Sequence, residues 1–170
     1  MNGKCYLLDT NMLGYLAEAK AGAPSIESVA LKSKLDSFKD NKTVFICSIN
    51  AGEVEYGLKI APFKDPSKQT LARQIVKSFS CLPIDDRIAL DQYSDLRAKL
   101  FQKYAPKNRK KKRIEEWIDP TTSKVLQVQE NDVWIAAVAM AYNLILVTHD
   151  KMNAIKAVAG GNLEITDWSK

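Results

Sequence analysis

Histidine occurs once in this chain of 170 residues, at His149, and cysteine three times, at Cys5, Cys47 and Cys81. That scarcity argues against a metal site built on imidazole and thiolate, which needs several histidines or closely spaced cysteine pairs. The cysteines are odd in number, far apart, and each in or beside an apolar run, so buried reduced thiols are expected. No apolar run approaches the roughly 20 residues needed to span a bilayer. The N-terminus lacks a basic start, an apolar stretch and a small-residue cleavage site, so no signal peptide is expected and a cytoplasmic location follows. Neither a glycine-rich phosphate loop nor a Ser/His/Asp or Cys/His arrangement for nucleophilic catalysis is present. Gly160-Gly161 reads as a helix stop.

What is present suits a globular chain of one domain, with 46% hydrophobic and 26% charged residues. The net charge of +5 is unevenly spread. Seven basic residues and no acids lie between Gln102 and Arg113, and removing them leaves 18 basic against 20 acidic residues, a net of −2. The basicity belongs to one segment.

Short apolar runs at 5–8, 44–47, 81–84, 144–148 and 163–165 read as strands. Helices are expected from near Met12 onward and near 25–39, 48–60, 67–79, 86–104, 132–142 and 151–158, with Asp9-Thr10-Asn11, Ser48 and Asp85 or Asp86 as caps. The helix at 132–142 is apolar nearly all round, as for a buried central helix. The alternation predicts an α/β fold: a central parallel sheet of four to five strands with helices on both faces. Residues 105–130 break the regularity with Pro106, Pro120 and the basic run, and read as an insertion within a single domain over 1–170.

Four pieces place a carboxylate where an apolar run gives way to polar residues: Leu7-Leu8-Asp9-Thr10-Asn11, Ser48-Ile49-Asn50-Ala51-Gly52-Glu53, Asn131-Asp132, and Leu146-Val147-Thr148-His149-Asp150. An unpaired buried charge costs several kcal/mol, so packing alone does not account for acids there. Ligand sites of open parallel sheets lie outside the carboxyl ends of the strands, where Asp9 and Asp150 would project. Glu53 shares a helical face with Ile49, Tyr56 and Ile60, whereas Glu55 faces the side of Ala51 and Lys59. Asp132 begins a helix whose face continues through Ile135, Ala136 and Ala139. Converging carboxylates repel until a cation neutralises them, and hard oxygen donors select Mg²⁺ or Mn²⁺. Each acid also has a plain structural use, as a helix cap or a partner of the helix dipole.

Together the four pieces resemble the motifs of PIN-domain ribonucleases, and their order and spacing are most similar to the VapC-type toxins of type II toxin–antitoxin modules. The resemblance covers the chain except about 105–130. It implies Mg²⁺- or Mn²⁺-dependent endonucleolytic cleavage of RNA, homodimers, and inhibition by a cognate antitoxin protein. By position it makes Asp9, Glu53, Asp132 and Asp150 the catalytic, metal-binding acids, with Thr10, Asn11 and Thr148 as secondary polar contacts. The long approach to Asp132 and the bulky Trp134 depart from the pattern.

Arg109, Lys110, Lys111, Lys112 and Arg113 would form an RNA track, since lysine and arginine clusters bind phosphate backbones. Trp117 and Tyr104 would stack on unpaired bases. A solvated loop or an antitoxin contact are the alternatives for this segment. Two other functional classes compete overall. A phosphatase resembling the haloacid dehalogenase family would use Asp9 as nucleophile but wants an acid where Asn11 stands. A receiver-like cation sensor wants paired acids after the first strand and a lysine after the last.

Overall fold

The computed structural model describes residues 4–22, 24–38, 43–106 and 113–170. Five short strands, β1 (Tyr6–Leu8), β2 (Val44–Cys47), β3 (Ser80–Leu82), β4 (Ile145–Val147) and β5 (Ile165–Thr166), form one parallel sheet in the order β3-β2-β1-β4-β5. Tyr6 and Leu7 pair with Val44 and Phe45 on one side, and Tyr6, Leu7 and Leu8 with Ile145, Leu146 and Val147 on the other. Strand order reverses direction at β1, which makes the β1/β4 edge the topological switch point. Leu7 and Leu8 are fully buried, as a central strand covered on both faces requires.

The described residues fall into two compact units. The first comprises Met1–Pro83, Leu144–Asp150 and Glu164–Lys170 and holds the whole sheet. Its helices are α1 (Thr10–Lys20), α2 (Ile26–Asp36), α3 (Ser48–Ile60) and α4 (Pro66–Lys77). Asp9 caps α1, the Ser25 hydroxyl accepts from the Ser28 N–H to start α2, and Asp65 caps α4 ahead of Pro66. Met12, Leu13 and Leu16 of α1 and Leu31 and Leu35 of α2 face one stripe each. They pack with Leu8, Val44, Ile46, Ile75, Phe79, Val147 and Trp168 into a core cluster. Each such side chain contributes about 1.5–3 kcal/mol by burial.

The second unit, Ile84–Asn143 with Lys151–Leu163, is helical. The Asp85 carboxylate accepts from the Ile88 N–H at 2.9 Å. The single helix expected over 86–104 is instead a π-helical turn at Ile88–Tyr93 that runs into α5 (Ser94–Tyr104). At this turn Tyr93 stacks on Trp134 with ring centroids 3.6 Å apart. The Tyr93 hydroxyl donates to Glu130, which Arg97 Nε also meets at 3.1 Å through both oxygens. Burial, and then the Glu130 carboxylate, push the Tyr93 phenol up to about 12. In α6 (Glu130–Ala141), Val133 and Ile135 through Ala139 are buried, as its all-round apolar sequence requires. Asn143, at φ 52°, ends the turn that follows α6. α7 (Asn153–Ala159) is entered through Met152 at φ 43° and left through Gly160 at φ 60° and ψ −140°, a combination open essentially to glycine.

Three local expectations are corrected. Cys47, not Ser48, occupies the cap position of α3, and the Asn50 side chain accepts from the Cys47 N–H at 2.8 Å. Of the cysteines only Cys47 is buried; Cys5 is half-buried, and Cys81 is exposed on the edge strand β3. Trp117 and Tyr104 are 3% and 8% exposed, so neither offers a face for a base. Trp117 instead lies under Arg97, 4.9 Å from its ring centroid, with Phe101 edge-on. Among the described residues no helix is long and apolar enough to cross a membrane.

Candidate active site

The carboxyl ends of β1, β2 and β4 bring one polar cluster together in the first unit. Asp9 follows β1 and is 4% exposed. Its Oδ1 accepts from the Thr10 N–H at 2.7 Å and its Oδ2 from the Thr148 hydroxyl at 2.7 Å. The Asn11 amide nitrogen spans the space between the acids: 3.4 Å from Asp9 Oδ2, 3.1 Å from Thr148 Oγ1 and 3.1 Å from Asp150 Oδ2. The Asp150 N–H donates to Thr148 Oγ1 at 3.0 Å. On the other side, the Thr10 hydroxyl donates to Glu53 and accepts from Asn50 Nδ2 at 3.1 Å. Six of the seven residues named from the sequence as acids or polar contacts therefore share one hydrogen-bonded network: Asp9, Thr10, Asn11, Glu53, Thr148 and Asp150.

Sequence reasoning missed Asn50 as a member. It is fully buried and ties the first turn of α3 to Thr10. A polar residue on the inward face of that helix was the available signal. Glu55 points elsewhere, as its helical position implies, and makes a two-toothed ion pair with Arg73 at 2.9 and 3.0 Å. Asp150 does not cap α7; its carboxylate accepts from Asn11. Asp132 belongs to the second unit, where it is the third residue of α6 and accepts from the Gln129 N–H at 2.8 Å. Of the basic track, Arg109–Lys112 lie outside the described residues. Arg113 is exposed and its N–H donates to Glu116 at 3.0 Å.

Electrostatically the cluster is under tension. Burial raises the Asp9 carboxyl above its usual range, and the Asp150 and Glu53 charges add to this, while hydrogen bonds from Thr148 and Thr10 oppose it. The donors are carboxylate and hydroxyl oxygens, the chemistry suited to a hard divalent cation. Among the described residues, no three acidic, histidine or cysteine side chains gather closely enough to ligate one ion. The Asn11 amide bridges Asp9 and Asp150, and Thr10 links Asp9 to Glu53, its N–H donating to the first and its hydroxyl to the second.

The family model for the PIN domain matches residues 6–161. The chain belongs to the PIN domain family. Solved structures share the fold at low identity. VapBC2 from Rickettsia felis bound to a promoter DNA fragment is 22% identical, with 96% of this chain and 98% of that chain covered and a TM-score of 0.68. DNA-bound VapBC from Salmonella typhimurium is 18% identical, with 98% and 99% covered and a TM-score of 0.66. VapBC-5 from Mycobacterium tuberculosis, from a family of toxin–antitoxin systems, is 20% identical, with 97% and 99% covered and a TM-score of 0.55. No curated protein sequence matches.

Proposed function

We propose that the chain is an Mg²⁺- or Mn²⁺-dependent endoribonuclease acting as the VapC-type toxin of a toxin–antitoxin pair. The observation that carries this reading is the buried Asp9, linked through Thr148 and Asn11 to Asp150 and through Thr10 to Glu53, at the switch point of a PIN fold. A divalent cation, when bound, makes a water nucleophilic near neutral pH and stabilises charge developing on a phosphodiester. By motif position the acids that would hold it are Asp9, Glu53, Asp132 and Asp150, although among the described residues no three such side chains gather around one point. Within the chain, Thr148 fixes the Asp9 carboxylate, and the Asn11 amide holds Asp150 toward it. Asn50 sets the Thr10 hydroxyl, which orients Glu53. The solved VapBC complexes support an antitoxin partner, and a homodimer in the cytoplasm completes the reading.

The test is incubation of the protein with RNA and Mg²⁺ or Mn²⁺, with and without chelator, beside Asp9→Asn and Asp132→Asn. Internal cleavage that chelator and either substitution abolish is expected. Intact RNA together with turnover of a phosphomonoester would refute it.

A further inference from the structure

His149 immediately precedes Asp150, and the topology sets its surroundings. β4 and β5 are parallel neighbours with Val147 opposite Thr166, and the Thr148 N–H donates to the Thr166 carbonyl at 3.0 Å. Residues just past the two strands therefore meet at one edge. There His149 Nδ1 lies 2.8 Å from Ser169 Oγ, and Ser169 Oγ lies 2.6 Å from Asp167 Oδ1. The Ser169 N–H donates to the same carboxylate oxygen at 2.9 Å, and Lys170 Nζ is 2.9 Å from Asp167 Oδ2. Ser169 is buried, and Trp168 pins the segment by packing on Tyr6 and Phe38 at 4.7 and 5.4 Å between ring centroids.

The hydrogen positions follow. Burial would raise the Asp167 carboxyl, but the Ser169 hydroxyl, Lys170 and the Ser169 amide outweigh it and hold it at about 2. Asp167 is thus ionised near neutral pH and only accepts. Ser169 has one hydroxyl hydrogen, and at 2.6 Å that hydrogen lies toward Asp167. A lone pair of Ser169 Oγ then faces His149, so Nδ1 carries the hydrogen and donates it. In the neutral imidazole Nε2 is left as an acceptor. The side chain is 44% exposed and edge-on to Tyr15 at 6.0 Å. The His149 backbone N–H lies 3.5 Å from Asn11 Oδ1, so the main chain of this residue borders the acidic cluster.

We propose that His149 is a specificity-determining residue. Asp167 and Ser169 fix its tautomer so that Nε2 accepts a hydrogen bond from a ribose 2′-hydroxyl of RNA bound at the acidic cluster. This rests on the endoribonuclease reading. DNA lacks that donor, and a fixed acceptor left unpaired disfavours it.

Because His149 is the only histidine, ¹⁵N NMR of imidazole-labelled protein reads it alone. The neutral ring of the wild type is expected as the Nδ1–H tautomer, with Ser169→Ala shifting it toward Nε2–H. Binding of a single-stranded RNA and its all-deoxy counterpart is then compared, with Ca²⁺ as the divalent ion. The wild type should prefer RNA by about five- to tenfold, the worth of one good hydrogen bond. His149→Ala should lose that preference by weakening RNA alone. His149→Gln, which keeps an acceptor at the same reach, should retain it. A wild-type Nε2–H tautomer, equal binding of RNA and DNA, or a preference unchanged in His149→Ala overturns this proposal alone. Failure of the wild type to bind or cleave any RNA overturns the endoribonuclease reading and this proposal with it.

Discussion

Asp9 is 4% exposed and feels the charges of Asp150 and Glu53, yet the Thr10 amide and the Thr148 hydroxyl both donate to it. A buried acid kept under repulsion while well hydrogen-bonded is a mark of a functional site. Its place was legible in the sequence because an apolar strand ended on it. Thr10 and Asn11 were read as secondary polar contacts of the same site; their bridging between acids depends on side-chain directions that spacing does not specify. Asp167 behaves in the opposite sense. Its carboxyl is depressed from 3.8 to about 2, so the stability it contributes is present above the ordinary value and lost as pH falls through the depressed one. The gap in urea midpoint between wild type and Asp167→Asn should therefore be open at neutral pH and close between about pH 4 and pH 2. A gap that stays constant across that range would contradict the assignment.

At the scale of elements, the capping residues and apolar stripes marked most helices to within two residues of their observed ends. α3 ends at Ile60 as expected, whereas α2, expected over 25–39, starts at Ile26 but ends three residues early at Asp36. Two things were hidden. The π-helical turn at Ile88–Tyr93 has no signature in the 3.6-residue pattern and is seen only with Tyr93 stacked on Trp134. Asn50 reads as one more polar residue in a first turn, whereas it bonds both the Cys47 N–H and Thr10 Oγ1. Asn50→Ala leaves a buried N–H without its partner and should destabilise the protein by about 1–3 kcal/mol in chemical denaturation. A cost below about 0.5 kcal/mol, the level of an ordinary surface change, would show that Asn50 does not hold this corner.

At the scale of the molecule, an otherwise slightly acidic chain carries its excess positive charge in one run, Lys103–Arg113. On the proposed endoribonuclease reading, the acidic cluster repels phosphate on its own and the basic segment would hold the RNA strand. Replacing Lys110, Lys111 and Lys112 by Gln should weaken RNA binding and flatten its logarithmic salt dependence by about 2 units of slope, at roughly 0.7 per neutralised phosphate of a single strand. Unchanged affinity and slope would remove the segment from the RNA path. The family and its sheet were readable because motif order and strand alternation are properties of the chain. The place of Asp132 relative to the other acids is not such a property, since it comes from a separate unit.

On the proposed function, oxygens from the ends of β1 and β4, from the first turn of α1 and from Glu53 in the second turn of α3 serve one divalent cation. Calorimetric titration of the protein with Mn²⁺ tests it without reference to any substrate. Saturable binding to the wild type, lost in Asp9→Asn and weakened in Glu53→Gln and Asp150→Asn, is the predicted result. Absence of binding, or binding that Asp9→Asn leaves intact, would contradict it.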